Sequence, residues 1–236
     1  MTPFHLIHLK NTPILTQLQI EEALLREDTR NFCLINEGSS PAIVMGISGK
    51  TDELIDIPKA KSSNIPIIKR FSGGGTVIVD EDTLFITFIC QKTSHPFPAY
   101  PEPILKWSAS LYAQAFPFIS LKENDYVIED KKCGGNAQYI KKDRWLHHTS
   151  FLWSFKPAHM ELLLHPKKTP SYRKERPHTD FLTQLSSHSS SKETWINTFK
   201  ETLKLSYPVI EMPLNSLSLS ASHRQTTTQL SLEASQ

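Results

Sequence analysis

Two glycine clusters hold the residues best suited to chemistry. The first, Arg70-Phe71-Ser72-Gly73-Gly74-Gly75-Thr76, lies between two runs of β-branched residues. Successive small residues let backbone N–H groups converge into an anion-binding concavity, to which Ser72 adds a hydroxyl and Arg70 a charged fork. A long flexible hairpin turn is the plainer reading of a Gly triplet. The second cluster runs Asn124-Asp125-Tyr126-Val127-Ile128, then Lys131-Lys132-Cys133-Gly134-Gly135-Asn136-Ala137-Gln138. A lysine at a glycine-loosened turn can reach an acyl phosphate, neutralise its charge and polarise the carbonyl under attack. An ordinary surface turn has the same composition. Five of the eight glycines fall in these clusters, which points to close backbone approach at both.

Other reactive residues carry less. Cys133 could serve as an acyl-thioester nucleophile, but no base partner is assignable and most lone cysteines are inert core residues. His147 and His148 are adjacent, so in a strand they point to opposite faces and cannot share a metal. Each reads as a satisfied histidine in or near a site. Ser48-Gly49-Lys50-Thr51 resembles the end of a P-loop, yet Val44 stands where the first glycine must be, which excludes it. The stretch 165–178 sets Lys167, Lys168, Arg173, Lys174 and Arg176 against Glu175. It reads as a basic loop that could dock an acidic partner or cover a phosphate.

The elements that must position these residues alternate in type. Thr12 and Pro13 read as the N-cap and N1 of a helix reaching about residue 28, with Leu15, Leu18 and Leu25 on one face. Strands follow at 32–36, 42–46, 66–70, 76–80 and 84–90, the last two joined by a hairpin-like turn at Glu81-Asp82-Thr83. After a Pro-rich stretch at 94–103, Leu105, Ser108, Leu111, Tyr112 and Ala115 repeat at helical spacing. Segments 126–129, 137–141 and 145–155 read as a meander, and 157–164 and 192–205 as helices. The pattern predicts an α+β domain of mixed, largely antiparallel sheets with packed helices. It spans 1–212, followed by a Ser/Thr-rich tail at 213–236 that is either a last marginal element or a frayed end.

Composition narrows the class. A chain of 236 residues with 39% hydrophobic content can bury a real core, and a net charge of +2 argues against a dedicated nucleic-acid binder. No apolar run approaches the roughly 18 residues of a membrane span. Three dispersed cysteines form neither a metal spacing nor a disulfide framework, and His5, His8 and Lys10 interrupt any signal peptide. The expectation is a reduced, cytoplasmic protein with no nucleic-acid or membrane partner.

Taken in chain order, KRFSGGGTV at 69–77, ND at 124–125, DKKCGGNAQ at 130–138, HHTSFLW at 147–153 and PSYRKERPHTDFL at 170–182 resemble the lipoate–protein ligase A family, within the biotin/lipoate ligase superfamily. The resemblance covers about residues 10–205. It implies a biotin/lipoate ligase-type catalytic domain that adenylates lipoate or octanoate with ATP and Mg²⁺. The acyl group would then pass to a lysine of a lipoyl domain, on 2-oxoacid dehydrogenase E2 subunits or the glycine cleavage H protein. By resemblance Lys132 falls on the catalytic lysine. Arg70, Ser72, Gly73, Gly74 and Gly75 would lie against the acyl-adenylate, and Asn124 and Asp125 near the nucleotide, with Asp125 helping to place Mg²⁺. Gly135, Asn136 and His148 complete the implied binding set.

The chain departs from the family pattern at several points. A His-Asp pair after the Gly triplet is here Val79-Asp80, the following Asn is Thr83, and His-Gly-Thr is His148-Thr149-Ser150. The residues after Leu205 are too few for the accessory domain of larger bacterial ligases, so a separate accessory subunit is expected to be a possible requirement. Two alternatives remain open: an octanoyltransferase fed by acyl carrier protein, and a non-catalytic lipoyl-domain binding module. The transferase's cysteine position corresponds here to Trp145. A biotin ligase would carry an arginine-interrupted glycine motif instead.

Overall fold

In the computed structural model, which describes residues 2–165, 169–217 and 225–231, the chain opens on a strand, β1 (Phe4–Lys10), where no element was expected. Helix α1 (Ile14–Glu27) follows. Pro13, not Thr12, occupies its N-cap position and offers no side-chain cap. The exposed end is closed from elsewhere, since the Ile14 N–H donates to Ser39 Oγ at 2.8 Å. Leu18 and Leu25 are buried as their spacing predicts, while Leu15 is half-buried.

Strands β2 (Asn31–Glu37) and β3 (Ala42–Met45) come next, then short helices α2 (Thr51–Leu54) and α3 (Ile57–Ser62). β4 (Ile67–Lys69) and β5 (Val77–Val79) flank the Gly triplet, and β6 (Thr83–Gln91) follows directly. β5 and β6 do not pair with each other: β5 pairs β3, whereas β6 lies in the other sheet, between β2 and the strand Arg144–Leu152. Glu81-Asp82-Thr83 is therefore a corner between two sheets, not a hairpin. Periodicity cannot distinguish these, because a corner and a hairpin place the same residues between the same strands.

Helix α4 (Pro101–Ala115) leads into β7 (Ser120–Lys122), β8 (Asp125–Ile128), β9 (Lys131–Ile140) and β10 (Arg144–Leu152). The meander was expected, but Gly134 and Gly135 lie within β9, so Lys132 projects from a strand and not from a loosened turn. The turn itself is made by Glu129 at φ 57° with Asp130. The helix expected at 157–164 is only α5 (Pro157–Met160), and α6 (His178–Phe181) begins at the last residue of the expected basic loop. Helix α7 (Lys192–Ser206) is capped by Ser191, which accepts from the Thr194 N–H.

The large sheet has the order β11-β1-β2-β6-β10-β9-β8-β7, with β11 (Val209–Glu211) and β1 parallel to their neighbours and the remainder antiparallel. The small sheet runs β12-β4-β3-β5, its edge strand β12 (Thr228–Leu230) coming from the C-terminal segment. That segment is anchored by Glu22, whose carboxylate accepts from the N–H and hydroxyl groups of Thr226 and Thr227. The tail thus contributes a strand, and its positions 218–224 and 232–236 lie outside the described residues.

All residues of β2 and β6 except their last are buried, as expected of central strands covered on both faces. On one face, Ile104, Leu111 and Tyr112 of α4 meet Trp195, Phe199 and Leu203 of α7 over Phe88 and Phe151. On the other, Ile14 and Leu18 of α1 pack with Val44, Ile68, Val79 and Phe85, joining the two sheets. The architecture is α+β, as the sequence pattern and the resemblance imply. Among the described residues no helix is long and apolar enough to cross a membrane.

Candidate active site

The Gly triplet connects β4 to β5 at the rim of a cavity of about 760 Å³ between the two sheets. Arg70 is buried beneath the loop and spends its fork on the loop's own backbone. Its Nη2 donates to the carbonyls of Gly73 and Gly75, both at 2.8 Å, and its Nε to Ser72 Oγ at 3.1 Å. Gly74 sits at φ +105°, and a Cβ there would lie 2.8 Å from Arg70 Nη2. Burial draws the Arg70 pKa down to about 10, with Glu21 opposing, so the guanidinium stays charged at neutral pH. Arg70 and Gly73–Gly75 line the cavity, but Ser72 is buried outside the lining with its hydroxyl turned to Arg70. These residues therefore shape a rigid rim; the loop is not a loose hairpin.

Lining the same cavity, Lys132 of β9 sets Nζ 2.7 Å from Asp125 Oδ1 of β8. The other carboxylate oxygen, Oδ2, accepts from the Tyr172 hydroxyl at 2.9 Å. Gly135 makes room for the lysine, because a Cβ there would come within 3.3 Å of Lys132 Cε and Nζ. Gly134 does the same for the Phe151 ring, 2.6 Å from a Cβ at that position. Asn136 Nδ2 donates to the Asn124 carbonyl at 2.6 Å, tying the rim of β9 to the turn before β8. Lys132, Asn124, Asp125, Gly135 and Asn136 all line the cavity with the Gly triplet.

The adjacent histidines diverge as the strand pleat requires. His148 lines the cavity, with Nδ1 2.9 Å from Glu21 Oε1 and 3.0 Å from Thr87 Oγ1. Glu21 is held in turn by Gln17 Nε2 at 2.8 Å, and Gln17 by Asn36. His147 points to the opposite side, with Nε2 2.8 Å from the Tyr126 hydroxyl; burial, then His148, pushes its pKa down to about 3. Cys133 also turns away, its Sγ donating to the Tyr126 carbonyl inside the core, and burial pushes the thiol up to about 12. It does not line the cavity.

Part of the cavity wall is apolar, built from Ile14, Leu18, Val44, Val79 and Phe85. A greasy wall ending at a charged mouth suits an amphiphile with an alkyl chain and an anionic head. The mouth is closed by the segment expected to be a basic loop. Its 3-10 turn Ser171–Arg173 is followed by Lys174 and Glu175 at φ 49° and 60°, and Arg176 reaches Asp130 Oδ2 at 3.1 Å. This segment folds onto Asp125 instead of standing in solvent, with Arg173 buried; Lys167 and Lys168 lie outside the described residues.

Sequence reasoning missed Glu21, Thr87 and Tyr172, the side chains that hold His148 and Asp125. Spacing carries no signal for them, since each acts across tens of residues. A divalent cation finds a poor donor set. The cavity's two carboxylates, Asp125 and Glu123, already accept hydrogen bonds from the 171–172 segment, and no cluster of three His, Cys, Asp or Glu converges among the described residues.

Comparison with known proteins gives a consistent set. The family model for the lipoyl protein ligase A/B catalytic domain matches residues 13–207. A Plasmodium falciparum protein named inactive lipoate–protein ligase 2 is 29% identical over 198 residues, 68% of this chain and 51% of its own length. The chain spans about half the length of the curated relatives it matches. Among solved structures, a bipartite lipoate protein ligase of Thermoplasma acidophilum, described with its E2 lipoyl domain, superposes with a TM-score of 0.76 at 16% identity. It covers 91% of this chain and 88% of that one. A lipoate–protein ligase A bound with ATP gives 0.72 at 16%, covering 90% and 89%.

Proposed function

The chain belongs to the lipoyl protein ligase A/B catalytic domain family, and from that premise we propose that it is an ATP-dependent lipoate or octanoate ligase. It activates the acid as an acyl-adenylate and transfers the acyl group to a lysine of a lipoyl domain. The carrying observation is Lys132, held by Asp125 in a cavity that the Gly triplet and a set of apolar side chains also line.

On this reading the residues divide the labour. Ile14, Leu18, Val44, Val79 and Phe85 take the alkyl chain out of water, and the backbone of Gly73–Gly75 approaches the head group. Lys132 neutralises the charge that develops on carbonyl and phosphate oxygens during attack, as a donor preorganised by Asp125. His148, fixed by Glu21 and Thr87, lines the cavity beside the apolar wall residues. Mg²⁺ would travel with the ATP phosphates.

Acceptors would be the lipoyl domains of 2-oxoacid dehydrogenase E2 subunits or the glycine cleavage H protein. The bipartite Thermoplasma neighbour supports a requirement for a separate accessory subunit. The name of the Plasmodium relative keeps a non-catalytic acyl- or lipoyl-domain binder as a second reading. An acyl-carrier-protein-dependent transferase through Cys133 is disfavoured, because that thiol faces the core.

The test is the intact mass of an apo lipoyl domain after incubation with this chain. One arm holds lipoate, ATP and Mg²⁺; the other holds octanoyl-acyl carrier protein without ATP. A gain in the first arm alone supports the ligase. A gain in the second alone replaces it with the transferase, and binding without transfer in either arm favours the binder.

A further inference from the structure

Glu22 is a buried carboxylate on α1 that does not line the cavity. It bonds Arg26, one turn on, and two neighbouring threonines of the C-terminal segment. The Thr226 N–H and hydroxyl donate to it at 3.1 and 2.6 Å, and those of Thr227 both at 3.0 Å. Strand β12 begins at the next residue and pairs antiparallel with β4, over Thr228↔Lys69, Gln229↔Ile68 and Leu230↔Ile67.

Both ends of this short stretch touch elements that build the cavity. Glu22 follows Glu21, which holds His148, and the same helix puts Ile14 and Leu18 in the cavity wall. Lys69, the last residue of β4, precedes Arg70, which braces the Gly triplet. In its first half α1 meets the small sheet through apolar contacts, Ile14 and Leu18 packing with Val44, Ile68 and Val79. One turn beyond Leu18 the link is polar, and the strand it leads into buries little: Thr228 and Gln229 are exposed and Leu230 is half-buried. A segment secured by hydrogen bonds more than by apolar burial lies at the low-stability end of a fold and opens before the core does.

We propose that Glu22 and residues 226–230 form a clasp that positions the cavity for its acid. Closed, it holds α1 and β4 at the spacing that the alkyl chain requires. Open, it releases the α1 wall and the base of the Gly triplet, and binding of the acid weakens. Glu22 is thereby a positioning residue, acting through α1 and β4 without touching substrate. The proposal rests on the ligase reading above for the choice of octanoate as ligand. Such coupling is reciprocal: a ligand that needs the closed cavity favours the closed clasp by the same factor.

Hydrogen–deuterium exchange and octanoate titration of the full chain test this. In the wild type, octanoate should slow exchange at 226–230, although that stretch lies outside the cavity lining; this measurement needs no variant. Thr226→Val with Thr227→Val removes both hydroxyl donors and leaves Glu22, Arg26 and the lining in place. Exchange should then rise together at 226–230 and 67–76, with α4 and α7 unchanged. The octanoate Kd should rise by about 3- to 10-fold as the closed share of molecules falls. In acyl transfer, KM for octanoate should rise with kcat unchanged. Thr226→Ser with Thr227→Ser keeps the hydroxyls and should restore both affinity and protection. Exchange that rises at 226–230 alone, or in every element alike, overturns the clasp, as does an unchanged Kd or unaltered exchange on adding octanoate. A wild-type chain that binds octanoate but transfers no acyl group overturns the ligase reading, while exchange still decides the clasp. A wild-type chain that binds no octanoate overturns both.

Discussion

The Lys132 ammonium and the Asp125 carboxylate face one another at 2.7 Å across neighbouring strands, so the proposed charge-stabilising group is oriented before any substrate arrives. Tyr172 secures the other carboxylate oxygen. The pair thus links strand β9 to the segment that closes the cavity mouth.

Lys132→Ala should reduce acyl transfer by about 10²–10³-fold, the usual effect of removing one preorganised donor, with the fold retained. Intact-mass turnover of a lipoyl domain measures the loss and circular dichroism the fold. Wild-type turnover in the variant would remove Lys132 from the reaction.

Asp125→Asn keeps the shape of the side chain but removes the charge that holds Lys132. Transfer should fall by about 10-fold, less than for Lys132→Ala, because the ammonium remains but loses its fixed orientation. A loss larger than that of Lys132→Ala would show that Asp125 has a role beyond positioning the lysine.

Cys133→Ala should keep most activity, since burial holds the thiol protonated with its pKa pushed up to about 12. The small cavity created should cost about 1 kcal/mol of stability. Near-complete loss of transfer with intact fold would return the thioester route to first place.

Gly74→Ala asks a residue with a Cβ to adopt φ +105° and to crowd Arg70 Nη2 at 2.8 Å. Stability should fall by at least about 1 kcal/mol, and activity should fall with it as the rim deforms. Gly73→Ala is the control, because a Cβ there meets nothing within 4 Å. Equal melting temperatures for both variants would mean that Arg70 does not rigidify the loop.

His147 gives a pH dependence with a definite sign. Burial, then His148, lowers its folded pKa to about 3 from 6.5. Below pH 6.5 the unfolded chain takes up a proton that the folded state refuses, so this contribution to stability is full above pH 6.5 and is lost progressively as pH falls towards 3. Urea midpoints measured from pH 7.5 to 4.5 should fall less steeply in His147→Gln than in the wild type. Parallel slopes would exclude His147 as a source of the acid sensitivity.

The sequence by itself determined the ingredients that local physics controls. Glycine clustering marked both approaches to the cavity, the spacing of Leu105, Leu111 and Tyr112 marked helix α4, and adjacency alone required His147 and His148 to part. The ordered motifs carried the family and the α+β class. Tertiary structure decided what depends on distant partners. It turned the supposed hairpin at Glu81-Asp82-Thr83 into a corner between sheets, because strand pairing is a long-range choice. It set Lys132 on a strand, bonded the Arg70 fork to the carbonyls of its own loop, and buried Arg173 against the cavity. Glu21 reaches His148 across 127 positions and Tyr172 reaches Asp125 across 47; hydrogen bonds of that range leave no periodicity in a chain, and only the folded sheets bring their ends together.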